Sequence, residues 1–244
     1  MQAHPLLGVF LFALITALAT GLGALPFLFV RTVSEAGQAY ASALAGGLMM
    51  GATSGLLFEG LEYGLVQTLV GVQAGVAFVL LSSRVLGEHD VSFGEVTGAG
   101  ARRMLLMVLV MTVHSFSEGV AVGASFAGGA ALATFVTVAI AIHNIPEGIA
   151  ISAVLRPRGQ SVARCAGWSV FSSLPQPLMA VPAFLLVEAV HPLLPYAIGF
   201  AAGAMLLMVL QELLPEAYRG ARRSRVGMLT TAAFVAMLLF QRLI

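Results

Sequence analysis

The stretches His114-Ser-Phe-Ser-Glu-Gly-Val-Ala-Val122 and His143-Asn-Ile-Pro-Glu-Gly-Ile-Ala-Ile151 are two copies of one pattern, and this pattern decides the fold. Their first residues lie 29 positions apart, and each copy falls near the middle of a long apolar segment. Residues i and i+4 of an α-helix share one face, about 6 Å apart along the axis. Each segment therefore presents an imidazole beside a carboxylate. Two such segments predict four nitrogen and oxygen ligands at the middle depth of a membrane.

The composition around these two stretches is that of a membrane protein. Of 244 residues, 59% are hydrophobic and 9% are charged, and the mean hydropathy is +0.97. A soluble domain carries about 25% charged residues, so we expect an all-α integral membrane protein. The single cysteine, Cys165, excludes an internal disulfide and a thiolate metal cluster. No basic residue precedes the first apolar run, which we therefore expect to be a retained span rather than a signal peptide.

Eight apolar segments have about the 20 residues needed to cross the hydrocarbon core. Eleven of the twelve arginines fall between spans on one side, and only Arg242 falls on the other. The positive-inside rule then puts both termini outside the cell. We expect one transmembrane transporter domain over residues 1–244, with a mobile cytoplasmic loop at 87–103. The predicted spans are 6–30, 39–61, 64–84, 104–127, 131–155, 163–187, 193–216 and 226–243.

A second internal similarity links the two ends of the chain. Ala45-Gly-Gly-Leu-Met49 in span two resembles Ala201-Ala-Gly-Ala-Met205 in span seven, and both spans end in paired acids. The two spans run in opposite directions, so we predict inverted repeats (spans 1–3 and 6–8) around a central pair of spans four and five. The paired acids are either solvated groups at the membrane interface or residues of an ion entry or exit path. They are Glu59, Glu62, Glu212 and Glu216.

The four central side chains form a candidate ligand set for one divalent cation. An ionised carboxylate at the bilayer centre costs about 3 kcal/mol, so Glu118 and Glu147 point to function rather than to helix packing alone. Two carboxylates balance one divalent ion, and His114 and His143 complete a four-coordinate set that suits zinc. The same ligands can also bind iron, manganese, cobalt or cadmium, because the set contains no thiolate that would select among these metals.

Residues next to the second histidine add oxygen atoms to this set. Pro146 lacks the N–H that would bond the carbonyl of Ile142, which leaves that oxygen free. Asn144 lies beside His143 and is a further candidate ligand. The alternative is that each His/Glu pair only joins helices through a buried hydrogen bond.

His114-Ser-Phe-Ser-Glu-Gly and His143-Asn-Ile-Pro-Glu-Gly resemble the signatures of the ZIP (Zrt-, Irt-like protein) family of divalent metal transporters. The resemblance covers essentially the whole chain, including Ala201 to Glu216 of span seven. It implies metal uptake into the cytoplasm, with His114, Glu118, His143 and Glu147 at the central site. It also implies a hydroxyl neighbour from span two, either Thr53 or Ser54.

The sequence departs from the family pattern around a second metal position. Members with a two-metal centre often have Asn after the span-four histidine, an acid or Asn after the span-five ligand, and Glu-Pro in span six. Here these positions are Ser115, Asn144 and Gln176-Pro177. Ser115 and Gln176 are thus candidates for a weak second position or for supporting the ligands. We expect a single metal.

The leading hypothesis is uptake of a divalent metal, with zinc preferred, by alternating access. One rival is an intramembrane metal-dependent hydrolase that uses the same ligands, and another is a proton or cation exchanger. We expect no resident cofactor, the metal ion and the lipid bilayer as partners, and no nucleic acid; a homodimer is left open. By analogy with the family, we expect the cell membrane (plasma or inner) as the location.

Overall fold

The computed structural model describes residues 5–30, 32–88 and 99–243, with their side chains except in 85–110. Within these ranges the chain forms helices and connecting turns, and no strand. The α-helices there are α1 (Pro5–Leu22), α2 (Glu35–Tyr63), α3 (Leu65–Glu88), α4 (Ala99–Gly128), α5 (Ala130–Leu155), α6 (Val162–Ser173), α7 (Pro175–Ala189), α8 (Leu194–Met208), α9 (Leu214–Gly220) and α10 (Arg223–Leu243).

The helices are those of an integral membrane protein. Among the described residues, seven segments are long and apolar enough to cross a membrane. They match every predicted span except span four, which corresponds to the 30-residue helix α4. Side chains at the start of α4 lie outside the described set. The prediction of an all-helical membrane protein is confirmed, with seven or eight long apolar helices.

The predicted loop at 87–103 is shorter in the structure. Gly87 and Glu88 continue α3, and residues 99–103 already belong to α4. The remaining part of the predicted loop, 89–98, lies outside the described residues.

Two predicted spans are divided into two helices each. Span six consists of α6 and α7, which meet at Leu174 and Pro175. Proline has no backbone N–H for a continuing helix and fits the first turn of a new one. Span seven consists of α8 and α9, joined by the π-helical turn Val209–Leu213. Pro146, in contrast, lies inside α5, which continues through it to Leu155.

The helices pack as two groups. We name α1, α4, α5, α6 and α7 the site bundle, because it contains the His/Glu pairs, and α2, α3, α8, α9 and α10 the frame bundle. Within the frame bundle the most extensive interfaces are α3 with α8 and α2 with α10, and within the site bundle they are α4 with α7 and α1 with α5. Across the boundary, α2 packs on α5 as extensively as α1 does, and α4 packs on α8. The predicted inverted repeats pair span 1 with span 6, 2 with 7, 3 with 8 and 4 with 5. Under this exchange the α3–α8 interface corresponds to the α2–α10 interface, and the α4–α7 interface corresponds to the α1–α5 interface. Two related repeats are expected to show such matching interfaces.

Glycine allows direct backbone contact inside each bundle. At each of the four interfaces a glycine lies so close to a carbonyl that an added Cβ would clash with it. Such approach is a common device for joining helices in lipid. The glycine and carbonyl pairs are Gly75 with Phe200, Gly47 with Thr230, Gly123 with Ala180, and Gly148 with Thr20.

The boundary between the bundles has a different character. No described glycine has a backbone atom of the opposite bundle among its nearest contacts. Aromatic side chains meet there instead: the rings of Phe78 and Phe116 stack at 5.0 Å, and those of Phe135 and Phe240 lie 6.5 Å apart. Side-chain contact can be remade at low cost when helices shift, whereas backbone contact at glycine cannot.

We predict that Gly75→Leu destabilises the folded protein by about 1–3 kcal/mol, because its side chain would force α3 away from α8. The measurement is thermal unfolding of the purified protein in detergent. Gly167→Leu is the matched control, since a Cβ at Gly167 meets nothing within 4 Å. Equal unfolding temperatures for the two variants would contradict the assigned role of glycine at this interface.

Candidate metal centre

An antiparallel hairpin of α4 and α5 brings the two motif copies together. The helices are joined at Gly129, whose φ of 118° lies in the left-handed region that glycine adopts readily. Because the helices run in opposite directions, each histidine faces the glutamate of the other copy. His143 Nε2 lies 2.6 Å from Glu118 Oε1, and His114 Nε2 lies 3.0 Å from Glu147 Oε1.

The four side chains converge on one point. Each offers one ligand atom within 4.8 Å of the other three, and all four residues are at most 3% exposed. Ligands about 2.1 Å from a tetrahedral zinc ion lie about 3.4 Å from one another. The cluster is therefore somewhat wider than a tetrahedral zinc site, but of a similar size.

Two atoms of the cluster have contacts that a cation would improve. His114 Nε2 lies 3.0 Å from Glu147 Oε1 and 3.3 Å from Glu118 Oε1, but neither His114 Nε2 nor Glu147 Oε1 makes a hydrogen bond of regular geometry. A buried polar atom without a well-formed hydrogen bond is costly. A divalent cation between the helices would bind both atoms, so the donor set fits zinc or a similar ion as substrate.

A network of neutral side chains holds one edge of this cluster. Gln176 Nε2 of α7 donates to Glu118 Oε2 at 2.5 Å. Gln176 Oε1 accepts from Asn144 Nδ2 at 3.3 Å and from the hydroxyl of Thr16 at 2.5 Å. Asn144 Nδ2 also donates to the backbone oxygen of Thr16 at 2.9 Å. Of the neighbouring positions predicted from sequence, Asn144 and Gln176 thus contact each other, and Ser115 is buried on α4.

Sequence reasoning missed the contribution of α1. Thr16 and Thr20 are buried polar residues four positions apart in an otherwise apolar span. Thr20 pairs with Ser173, their hydroxyl oxygens being 2.8 Å apart. The sequence did contain a pattern that indicates this contact: two hydroxyl residues lie on one face of a transmembrane helix. Such residues usually hydrogen-bond across a helix interface.

The glycine that follows each glutamate of the motif permits close packing at the site. A Cβ on Gly119 would lie 2.6 Å from the backbone oxygen of Gln176, and one on Gly148 would clash with that of Thr20. The first glycine thus seats α4 on α7, and the second seats α5 on α1. Each Glu-Gly pair therefore combines a carboxylate of the cluster with a close helix approach.

The predicted acids of span seven border a cavity near the centre. The cavity has a volume of about 710 Å³ and opens at the arginine-rich end of the protein. Its wall includes Met111, three residues before His114. Its lining also includes five charged residues, namely Glu35, Arg158, Glu212, Glu216 and Arg219.

The acids of span two lie at the opposite end. Glu59 is half-buried and Glu62 is exposed. Between them and the cluster lie buried apolar side chains such as Leu56, Phe135 and Ile140. The cavity that comes within three residues of His114 therefore lies at the arginine-rich end.

The two span-two hydroxyls differ in their surroundings. Ser54 Oγ donates to the Met50 backbone oxygen at 2.9 Å. Thr53 Oγ1 is buried and has no hydrogen-bond partner. Of the two hydroxyl groups, that of Thr53 therefore remains available to hydrogen-bond or bind another group.

Comparison with known proteins agrees with this architecture. Residues 86–239 match the family described as ZIP zinc transporter, which is more than half of the chain. A candidate zinc transporter of Arabidopsis thaliana is 44% identical over 233 residues, covering 94% of this chain and 38% of that protein. The zinc transporter GufA of Myxococcus xanthus is 36% identical over 222 residues, covering 85% of this chain and 87% of its own length. The zinc transporter ZIPB of Bordetella bronchiseptica is 31% identical over 239 residues, covering 90% and 76%.

The fold and these matches define the chain as a multi-pass membrane protein of a metal-transporter family. The chain belongs to the ZIP zinc transporter family. It spans 38% of the length of the Arabidopsis relative and most of the length of the two bacterial ones.

We predict that the wild type holds one zinc ion per chain and that Gln176→Glu holds two. A glutamate at 176 would face Glu118 across 2.5 Å, and two carboxylates so close either share a proton or bind a cation between them. Excess zinc favours the bound cation. Metal analysis of the purified protein after dialysis against zinc counts the ions. Gln160→Glu, which adds the same charge in the turn before α6, should leave the count at one. Two fully occupied ions in the wild type would refute the single-metal centre.

Proposed function

We propose that the protein carries a divalent transition metal ion, preferentially zinc, into the cytoplasm by alternating access. One observation carries this proposal: two imidazoles and two carboxylates are buried together within 4.8 Å in helices that cross a membrane. The family match supports transport rather than catalysis. The absence of a thiolate leaves iron, manganese and cadmium as further substrates.

The proposed topology has eight spans with both termini outside and inverted repeats around α4 and α5. The distribution of arginine supports it through the positive-inside rule. The cavity next to Met111 then opens to the cytoplasm, which makes the described conformation inward-facing. Glu212 and Glu216 lie on the way out, where carboxylates would attract an ion leaving the centre. Glu59 and Glu62 lie at the opposite mouth.

We propose that the site bundle moves against the frame bundle to alternate access. All four ligands, with Thr16, Asn144 and Gln176, belong to the site bundle, so the centre can move as a unit. Backbone contacts at glycine hold each bundle together, whereas side chains form the boundary between them. A divalent ion neutralises Glu118 and Glu147, which lowers the electrostatic cost of moving the loaded centre through a low-dielectric region.

The two rival functions have less support. A metal hydrolase needs an open coordination position for water and a separate acid or base. Among the described residues, the buried cluster consists of His114, Glu118, His143 and Glu147 alone. An exchanger that moves only protons or sodium would have no need for two imidazoles and two carboxylates converging on one point.

We predict that Glu147→Ala lowers zinc uptake by more than about 100-fold at equal membrane abundance. Even groups that only support a ligand contribute about 10–100-fold to metal sites, and Glu147 supplies one of two negative charges. The measurement is initial uptake of radioactive zinc into cells, normalised to protein in the membrane.

Glu188→Ala is the matched control for this variant, because Glu188 is an exposed carboxylate near the far end of α7. It should retain wild-type uptake. Wild-type uptake by a well-inserted Glu147→Ala protein would eliminate Glu147 as a ligand.

A further inference from the structure

We infer that Thr16 of α1 is a positioning residue that sets the orientation of the Gln176 amide and thereby limits the centre to one metal ion. The inference rests on the proposed metal-transport function. Thr16 is fully buried and lies 160 residues before Gln176.

Thr16 contacts both amide side chains next to the ligands. Its Oγ1 lies 2.5 Å from Gln176 Oε1 and 2.7 Å from the backbone oxygen of Ala13. Both of these oxygens only accept, so they share the single hydroxyl proton of Thr16. The backbone oxygen of Thr16 accepts from Asn144 Nδ2 at 2.9 Å. One residue of α1 thus anchors one end of each amide.

These contacts leave one orientation for Gln176. Its Nε2 faces Glu118 Oε2 at 2.5 Å, and an ionised carboxylate can only accept. Its Oε1 faces two donors, the Thr16 hydroxyl and Asn144 Nδ2. Rotating the amide by half a turn would place an oxygen against the carboxylate and an NH₂ group against the NH₂ group of Asn144. Both new contacts are repulsive.

The fixed orientation excludes a second cation beside Glu118. An ion at that place needs an oxygen from Gln176, but it would meet the NH₂ group. Asn144 cannot compensate by turning, because its own NH₂ group is held by the backbone oxygen of Thr16. Asn144 Oδ1 is buried without a hydrogen-bond partner, and one neutral oxygen is a poor site for a divalent ion.

The test is zinc binding to purified protein, measured by equilibrium dialysis and metal analysis, with Thr16→Val as the main variant. Valine keeps the shape of threonine and removes the hydroxyl, so the Gln176 oxygen loses its Thr16 donor. It can then turn towards a cation beside Glu118, because the cation offsets the repulsion between that oxygen and the carboxylate. We expect bound zinc to rise from one ion per chain towards two, the second binding about tenfold more weakly than the first. Thr16→Ser restores the hydroxyl and should return the count to one.

Two further variants separate positioning from general loosening of the helices. Thr20→Val removes the neighbouring hydroxyl of α1, which pairs with Ser173 and not with Gln176. It should keep one ion. The double variant Thr16→Val/Gln176→Leu should also keep one ion, because the additional ligand is the Gln176 oxygen. If Thr16→Val does not fold, Thr16→Ala makes the same test without steric risk.

The outcomes distinguish this inference from the function on which it rests. A wild type that binds no zinc would overturn the proposed function itself. A wild type with one ion, together with Thr16→Val or Thr16→Ala that also binds one with unchanged affinity, would overturn only the role of Thr16. A second ion that persists without Gln176, or that also appears in Thr20→Val, would overturn it as well.

Discussion

Glu118 and Glu147 are buried carboxylates in two long helices of a membrane protein, and each needs partners that offset its charge. Burying an ionised group without a partner is costly, so such groups are paired or bind metal. Here each carboxylate meets the histidine of the opposite helix, at 2.6 and 3.0 Å. When both imidazoles are neutral, the two carboxylates leave the cluster with two negative charges. A divalent cation removes that charge, which is why the same four residues suit a metal that has to cross a bilayer.

The glycines and the candidate ligands lie next to each other in the sequence and in the structure. Gly119 and Gly148 follow the two glutamates, and each lets its helix approach another helix of the site bundle. The ligands, the network behind them and the closest backbone contacts therefore belong to the same five helices. The frame bundle meets them through side chains such as Phe78 and Phe240. A centre that is held rigidly inside one bundle can keep its geometry while the boundary between bundles rearranges.

Much of this architecture could be predicted from the sequence because it depends on local spacing. The interval of four between His114 and Glu118, and between His143 and Glu147, puts each pair on one helix face. Long apolar runs predicted the membrane spans. The cross-pairing of the copies depends on the antiparallel hairpin, and the role of Thr16 depends on a contact 160 residues away. No local pattern encodes such contacts. The break in span six had a local signal, Pro175, whereas the π-helical turn at Val209–Leu213 had none.

The central claim, that the buried cluster serves transport, is tested most directly in reconstituted vesicles. Purified protein would be placed in liposomes that contain a zinc-sensitive dye, with a zinc gradient across the membrane. We expect saturable zinc accumulation that requires the protein and is lost when Glu118 and Glu147 are both replaced by alanine. Vesicles that carry folded protein and accumulate no zinc, or that move protons or sodium with no zinc present, would contradict the account.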